Sequence, residues 1–108
     1  MNRQTILDPI SLEVLSNGLR SIADEMYVAL MRSAYSVNIK ERQDHSTCII
    51  DAAGRTVALA ERTQCIHLSS MQGHARALLE SSHFGKMKDG DISYLMIPML
   101  PMGAIYQI

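Results

Sequence analysis

The residues best able to do chemistry in this chain are four histidines (His45, His67, His74 and His83) and two cysteines (Cys48 and Cys65). Imidazole and thiolate are good ligands for zinc-like ions, and a thiolate beside an imidazole is a nucleophilic pair. The spacing writes neither as a self-contained site. No two histidines stand at i,i+4, and there is no Cys-x-x-Cys. Two cysteines do not make a disulfide framework, and they read as small buried apolar groups in a reducing compartment. The six glycines are scattered, which excludes a phosphate-cradling loop. One charged run remains, Lys40-Glu41-Arg42-Gln43-Asp44. It reads as a solvated loop, or as charges that position a carboxylate substrate or a neighbouring subunit.

These groups need elements to hold them. Asp8 is a good N-cap and Pro9 suits the first helical position, where its missing N–H costs nothing. Leu12, Leu15, Leu19, Ile22, Met26 and Leu30 then recur at 3–4 spacing and draw one apolar stripe. The pattern predicts a helix over about 10–34, about 37 Å long at ~1.5 Å per residue. A helix of that length with one apolar stripe needs a partner surface. Residues 36–46 read as a connection. Two β-prone runs, 47–50 and 55–60, flank Asp51-Ala52-Ala53-Gly54, whose turn chemistry predicts a hairpin. A second helix is expected over about 70–82, capped by Ser69 or Ser70 and ended by Gly85. Ile92–Leu95 has the look of a strand. The fold class expected is α+β: a long N-terminal amphipathic helix, a β-hairpin, a second helix and a terminal strand.

Composition narrows the function. With 108 residues the chain is one small domain, long enough to bury roughly 65% of its unfolded surface. An apolar fraction of 47% against 19% charged residues argues against intrinsic disorder. Ten basic and eleven acidic residues give a net charge of −1, which removes the electrostatic footprint of a nucleic-acid binder. No basic-then-apolar leader opens the chain, so a cytoplasmic location is expected. Residues 92–108 carry no charge at all. That run sits at the lower edge of a membrane span, but Pro98 and Pro101 would break the helix a span needs, so no membrane is expected.

Several ordered motifs resemble one family. Asp-Pro-Ile-Ser-Leu-Glu-Val-Leu (8–15) opens the long helix. Ala-Tyr-Ser-Val-Asn-Ile-Lys-Glu-Arg (34–42) and Asp44-His45-Ser46 follow it. Asp-Ala-Ala-Gly-Arg (51–55), Ala60-Glu61, Ile-His-Leu-Ser-Ser-Met (66–71) and Asp89-Gly90-Asp91 complete the set. Over about residues 7–95 the chain is similar to the amino-terminal part of the hydantoinase B/5-oxoprolinase family, which includes N-methylhydantoinase B-type subunits and related acetone carboxylase subunits. The resemblance implies a fragment of a larger subunit that works with a hydantoinase A-type partner. It implies ATP-driven opening of a cyclic amide (hydantoin or 5-oxoproline), or ATP-driven carboxylation in the carboxylase branch. ATP would enter through the partner subunit, and a divalent metal belongs to the full-length family in some members. For this chain alone no cofactor is expected and no activity. Cyclic amides are poor electrophiles at neutral pH, and phosphorylating the oxygen supplies a leaving group.

By the same resemblance, Glu61 and His67 are candidate polar groups near a metal, and Arg42 and Asp44 are candidate substrate-binding residues. Each also has a plainer reading: a capped turn for Glu61, a core-edge histidine for His67, an internal ion pair or loop anchor for Arg42 and Asp44. The departure from the family comes after residue 95. Members resemble Asn-Asp-Pro-Tyr, a glycine-rich stretch and then His-Leu-Pro-Asp, whereas residues 96–108 here are apolar and rich in methionine. With suitable third bases, a shifted reading frame restores parts of both motifs. The expectation is therefore a hydantoinase B-like region over 1–95 and an out-of-frame tail over 96–108. Two alternatives stay open: a non-enzymatic module whose helix stripe docks on a partner subunit or a second copy, and a small protein tethered to a membrane by its tail.

Overall fold

The structure, a computed structural model, describes residues 7–96 and 105–107. Helix α1 (Pro9–Ser33) leads, and a single-turn helix α2 (Val37–Lys40) follows. Strands β1 (Cys48–Ile50) and β2 (Thr56–Leu59) then precede helix α3 (Cys65–Glu80). A 3-10 turn over Phe84–Lys86 leads to β3 (Tyr94–Met96), and β4 (Ile105–Gln107) is the last described element. The strands form two separate antiparallel pairs, β1 with β2 and β3 with β4. This is the α+β class that the sequence predicts.

The start of α1 is built as its sequence demands. The Asp8 carboxylate accepts the Ile10 and Ser11 amides at 3.1 and 3.0 Å, and Ser11 Oγ donates to it at 2.6 Å. These bonds, the one from the Ser11 hydroxyl foremost, hold the Asp8 carboxyl below its ordinary value. The helix stops where Ala34 turns extended, its N–H closing on the Leu30 carbonyl at 3.0 Å.

The side of α1 that goes under cover is offset from the stripe. Ala23 and Tyr27 are buried and, with Ala60, form the core. Leu12, Leu15, Ile22 and Met26 stay 44–57% exposed. The hairpin packs along the middle of the helix, with β2 beside Ser16 and Arg20 and the core at Ala23 and Tyr27, so Ile22 and Met26 lie on a neighbouring side that it does not cover. Thr47 Oγ1 fastens the hairpin there by donating to the Ala23 carbonyl at 2.8 Å.

The hairpin turn rests on one carboxylate and one glycine. Asp51 Oδ1 accepts the Ala53 and Arg55 amides, each at 2.9 Å, and Arg55 Nε donates to Oδ2 at 2.7 Å. Those bonds lower the Asp51 carboxyl below its ordinary value, the Arg55 amide contributing most. Gly54 takes a φ of +78° and is buried under α3, where an added Cβ would lie 2.8 Å from Leu79 Cδ1. A register irregularity between Ile49 and Ile50 lets Ile50 face Thr56.

Several expected boundaries are corrected. The second helix begins at Cys65, not near residue 70, so Ser69 and Ser70 are interior residues. Ser70 Oγ donates back to the His67 carbonyl at 2.9 Å instead of capping. The early start is sustained by a cap from outside the helix, since Ser46 Oγ accepts the Gln64 amide at 3.2 Å. No local pattern announces a cap eighteen residues away. At its other end α3 stops at Glu80 and Gly85 falls within the 3-10 turn. The 36–46 connection carries the short α2. The terminal strand runs over Tyr94–Met96 and pairs with Ile105–Gln107. Residues 97–104 and 108 of the tail lie outside the described residues. Among the described residues, no helix is long and apolar enough to cross a membrane.

Candidate functional site

Two connections meet beside the C-terminal half of α1: residues 43–47, which lead into β1, and residues 61–64, which lead into α3. Gln43 sits at the centre of the junction with a φ of +54°, an uncommon conformation for a residue with a side chain. Its carbonyl accepts three donors: the Tyr27 hydroxyl at 3.1 Å, the His45 amide at 2.9 Å and Gln64 Nε2 at 3.4 Å. Its own side-chain oxygen accepts from Arg62 at 3.4 Å. Three donors on one carbonyl over-determine the backbone and hold it in this region.

Extended residues alternate sides, and that alternation makes the site. His45 points into the core. Its ring stacks on Tyr27 with centroids 3.9 Å apart, and its Nε2–H donates to the Tyr27 carbonyl at 3.1 Å. Burial raises the Tyr27 hydroxyl above its ordinary value, with Arg62 opposing. Asp44 and Ser46, one residue to either side, reach the same ring on α3. Ser46 Oγ lies 2.7 Å from His67 Nδ1, and Asp44 Oδ1 lies 3.5 Å from His67 Nε2.

The hydrogen-bond sense follows from the partners. A carboxylate only accepts, so Asp44 draws the ring N–H to Nε2 and leaves Nδ1 as a bare lone pair. Ser46 Oγ already accepts the Gln64 amide, so its own O–H is free to donate to Nδ1. Ser46 is thus hydrogen-bonded to one side of the ring, and the Asp44 carboxylate stands at ion-pair distance from the other. His67 is shielded, its side chain 19% exposed, while Asp44 is 44% exposed.

The four candidate residues fare differently. Asp44 and His67 are brought together. Arg42 is exposed, and its amide donates to the Val37 carbonyl at 3.2 Å. The Glu61 amide is tied to Asp24 Oδ1 at 2.7 Å, which anchors that turn to α1. Both ring nitrogens of His67 are engaged by protein groups. Among the described residues, no three His, Cys, Asp or Glu side chains gather as a metal site would require. The donor set of this stretch is thus short of a metal centre. Burial raises the Cys48 thiol above its ordinary value, which leaves it a poor nucleophile. Residue-by-residue reading missed Ser46. The available signal was the Asp-x-Ser alternation at the entry to a strand.

A family model described as hydantoinase B/oxoprolinase matches residues 8–103, from the α1 cap through part of the apolar tail. The chain belongs to the hydantoinase B/oxoprolinase family. Among its relatives is an uncharacterized protein of Schizosaccharomyces pombe, 37% identical over 90 residues, which are 83% of this chain and 7% of that protein. A 5-oxoprolinase of Dictyostelium discoideum is 38% identical over 88 residues, 82% of this chain and 7% of the enzyme. A Pseudomonas protein named as a candidate B-type subunit of a D-/L-hydantoinase is 26% identical over 74 residues, 68% of this chain and 12% of that protein. This hydantoinase B/oxoprolinase stretch spans 6–12% of the length of the curated relatives it matches. No solved structure matches it.

Proposed function

We propose that this chain serves ATP-dependent opening of a cyclic amide, hydantoin or 5-oxoproline, with an A-type subunit that handles ATP. The family match over residues 8–103 carries the reading, and relatives named 5-oxoprolinase at 36–40% identity support it. In this reading the partner phosphorylates the amide oxygen and so provides a leaving group. The belt around His67 supplies proton transfer in the same reading, and the exposed Arg42 guanidinium holds a substrate carboxylate. Glu61 and His67 would serve a divalent ion only alongside further ligands from other parts of a longer polypeptide. The chain alone does not open the cyclic amide.

A second reading is favoured by the exposed face of α1. Leu12, Leu15, Ile22 and Met26 lie uncovered together, as on a helix that docks a subunit or a second copy.

A chimera separates the two. Residues 8–95 replace the matching stretch of the Saccharomyces cerevisiae 5-oxoprolinase, which is 36% identical over 86 residues. The enzymatic reading expects ATP-dependent ring opening to persist, and to fall when Asp44 or His67 is substituted. A folded chimera that keeps full activity with both residues replaced favours the interaction module.

A further inference from the structure

Candidates for a further site are few. Two shallow clefts lie elsewhere, one between Ser16, Arg20 and β2 and the other along Asp24 to Arg32. The bare face of α1 has nothing on it to identify its cover. Ser46, His67 and Asp44 remain, a nucleophilic hydroxyl hydrogen-bonded to an imidazole that faces a carboxylate at 3.5 Å, drawn from one connection and one helix.

We infer that Ser46 is an acyl-accepting nucleophile, with His67 as its general base and Asp44 as the residue that positions the base. The 2.7 Å contact between Ser46 Oγ and His67 Nδ1 is the working distance for proton removal. Asp44 fixes the tautomer that leaves Nδ1 unprotonated. The Gln64 amide, donating to the same Oγ at 3.2 Å, stabilises negative charge that grows there during proton loss. It also sets Oγ at the mouth of α3, where the first amides of the helix have no intrahelical acceptors.

The substrate class is an activated carboxyl derivative, an ester or an acyl phosphate. Ser46 Oγ bonds to the carbonyl carbon as its proton passes to His67 Nδ1. The bond to the leaving group breaks with its electron pair, and His67 passes that proton to the leaving group, or to solvent where the leaving group departs as an anion. Water then attacks the Ser46 ester, gives its proton to His67, and the Oγ–acyl bond breaks as Oγ recovers the proton. Extension to the carbonyl of a cyclic amide rests on the function proposed above. The ester reaction does not, so the two can fail separately.

The test treats the 108-residue chain with p-nitrophenyl acetate, quenches in acid and locates the acetyl group by peptide mass spectrometry. Acetylation is expected to concentrate on Ser46 over the other serines. It vanishes in Ser46→Ala and slows about 100-fold in His67→Gln. Asp44→Asn slows it less, and Asp44→Glu recovers part of the loss, a rescue that a merely structural role for the carboxylate would not give. Because Ser46→Ala also removes the cap on α3, Ser46→Cys is the companion variant. It keeps a nucleophile in place, and the introduced thiol is expected to acetylate faster than Cys65, an exposed reference in the same chain. Uniform acetylation of all serines, from a folded or an unfolded chain, overturns the inference. So does an introduced thiol in Ser46→Cys that reacts no faster than Cys65.

Discussion

The first half of α1 and the belt made by residues 43–47 with 61–67 are held by opposite means. The belt is polar, and nearly every group in it has a named partner: Gln43 with Tyr27, His45 and Gln64, Ser46 with Gln64 and His67, Thr63 with Thr47. The helix half is apolar and bare, with Ile10 at 76% and Val14 at 66% exposure. Directional bonds give the belt a defined geometry inside this short chain. Apolar burial, the larger stabilising term in folded proteins, is what the helix half lacks. A stretch can therefore position a chemical group well before it is stable as a unit.

The contrast breaks most sharply at Tyr27, where the belt meets the helix. Its ring is buried and stacked on His45. Tyr27→Ala should cost about 3–5 kcal/mol, enough to unfold a chain with so small a core, as read by urea denaturation followed by circular dichroism. Tyr27→Phe keeps the stack and loses one donor to Gln43, so it should cost about 1 kcal/mol. A smaller loss than Tyr27→Ala is expected at Gly54. Gly54→Ala forces a side chain into a φ of +78° and toward Leu79, and should cost about 1–2 kcal/mol, seen as a lower thermal midpoint.

The sequence showed these regions unequally. Asp8, Pro9 and the 3–4 spacing marked α1 because capping and periodicity are local properties. The Asp51–Gly54 turn was legible for the same reason. The start of α3 was not, since its cap is Ser46, a residue on another segment. The family motifs placed Asp44 and His67 among the candidates without placing them together. What joins them is the alternation of residues 44–46 across the belt, and that depends on Gln43 holding a positive φ, which nothing in its residue type announces. The exposed stripe is the converse case, a clear signal for a surface that no described part of this chain covers.

Two further measurements sharpen the contrast. Asp8 and Asp51 both have carboxyls held below their ordinary value of 3.8 in the folded state. Their stabilisation is fully present above that unfolded value and is lost as pH falls through the lowered folded one. Stability measured against pH should decline on that acid side, and Asp8→Asn with Asp51→Asn should flatten the decline. The smallest effect belongs to the bare helix face. Leu15→Ser with Ile22→Ser should shift stability by no more than about 0.5 kcal/mol per site. Sedimentation should nevertheless show any self-association of the chain reduced.

The chemistry of the belt depends most directly on the state of one ring. Two-dimensional proton–nitrogen spectra of the histidines, recorded at about pH 8 where a free imidazole is neutral, read which nitrogen of His67 carries hydrogen. The geometry of Asp44 and Ser46 requires Nε2 protonated and Nδ1 bare, with a shift of both signals in Asp44→Asn. Hydrogen on Nδ1, or two tautomers in rapid exchange that Asp44→Asn leaves unchanged, would contradict it.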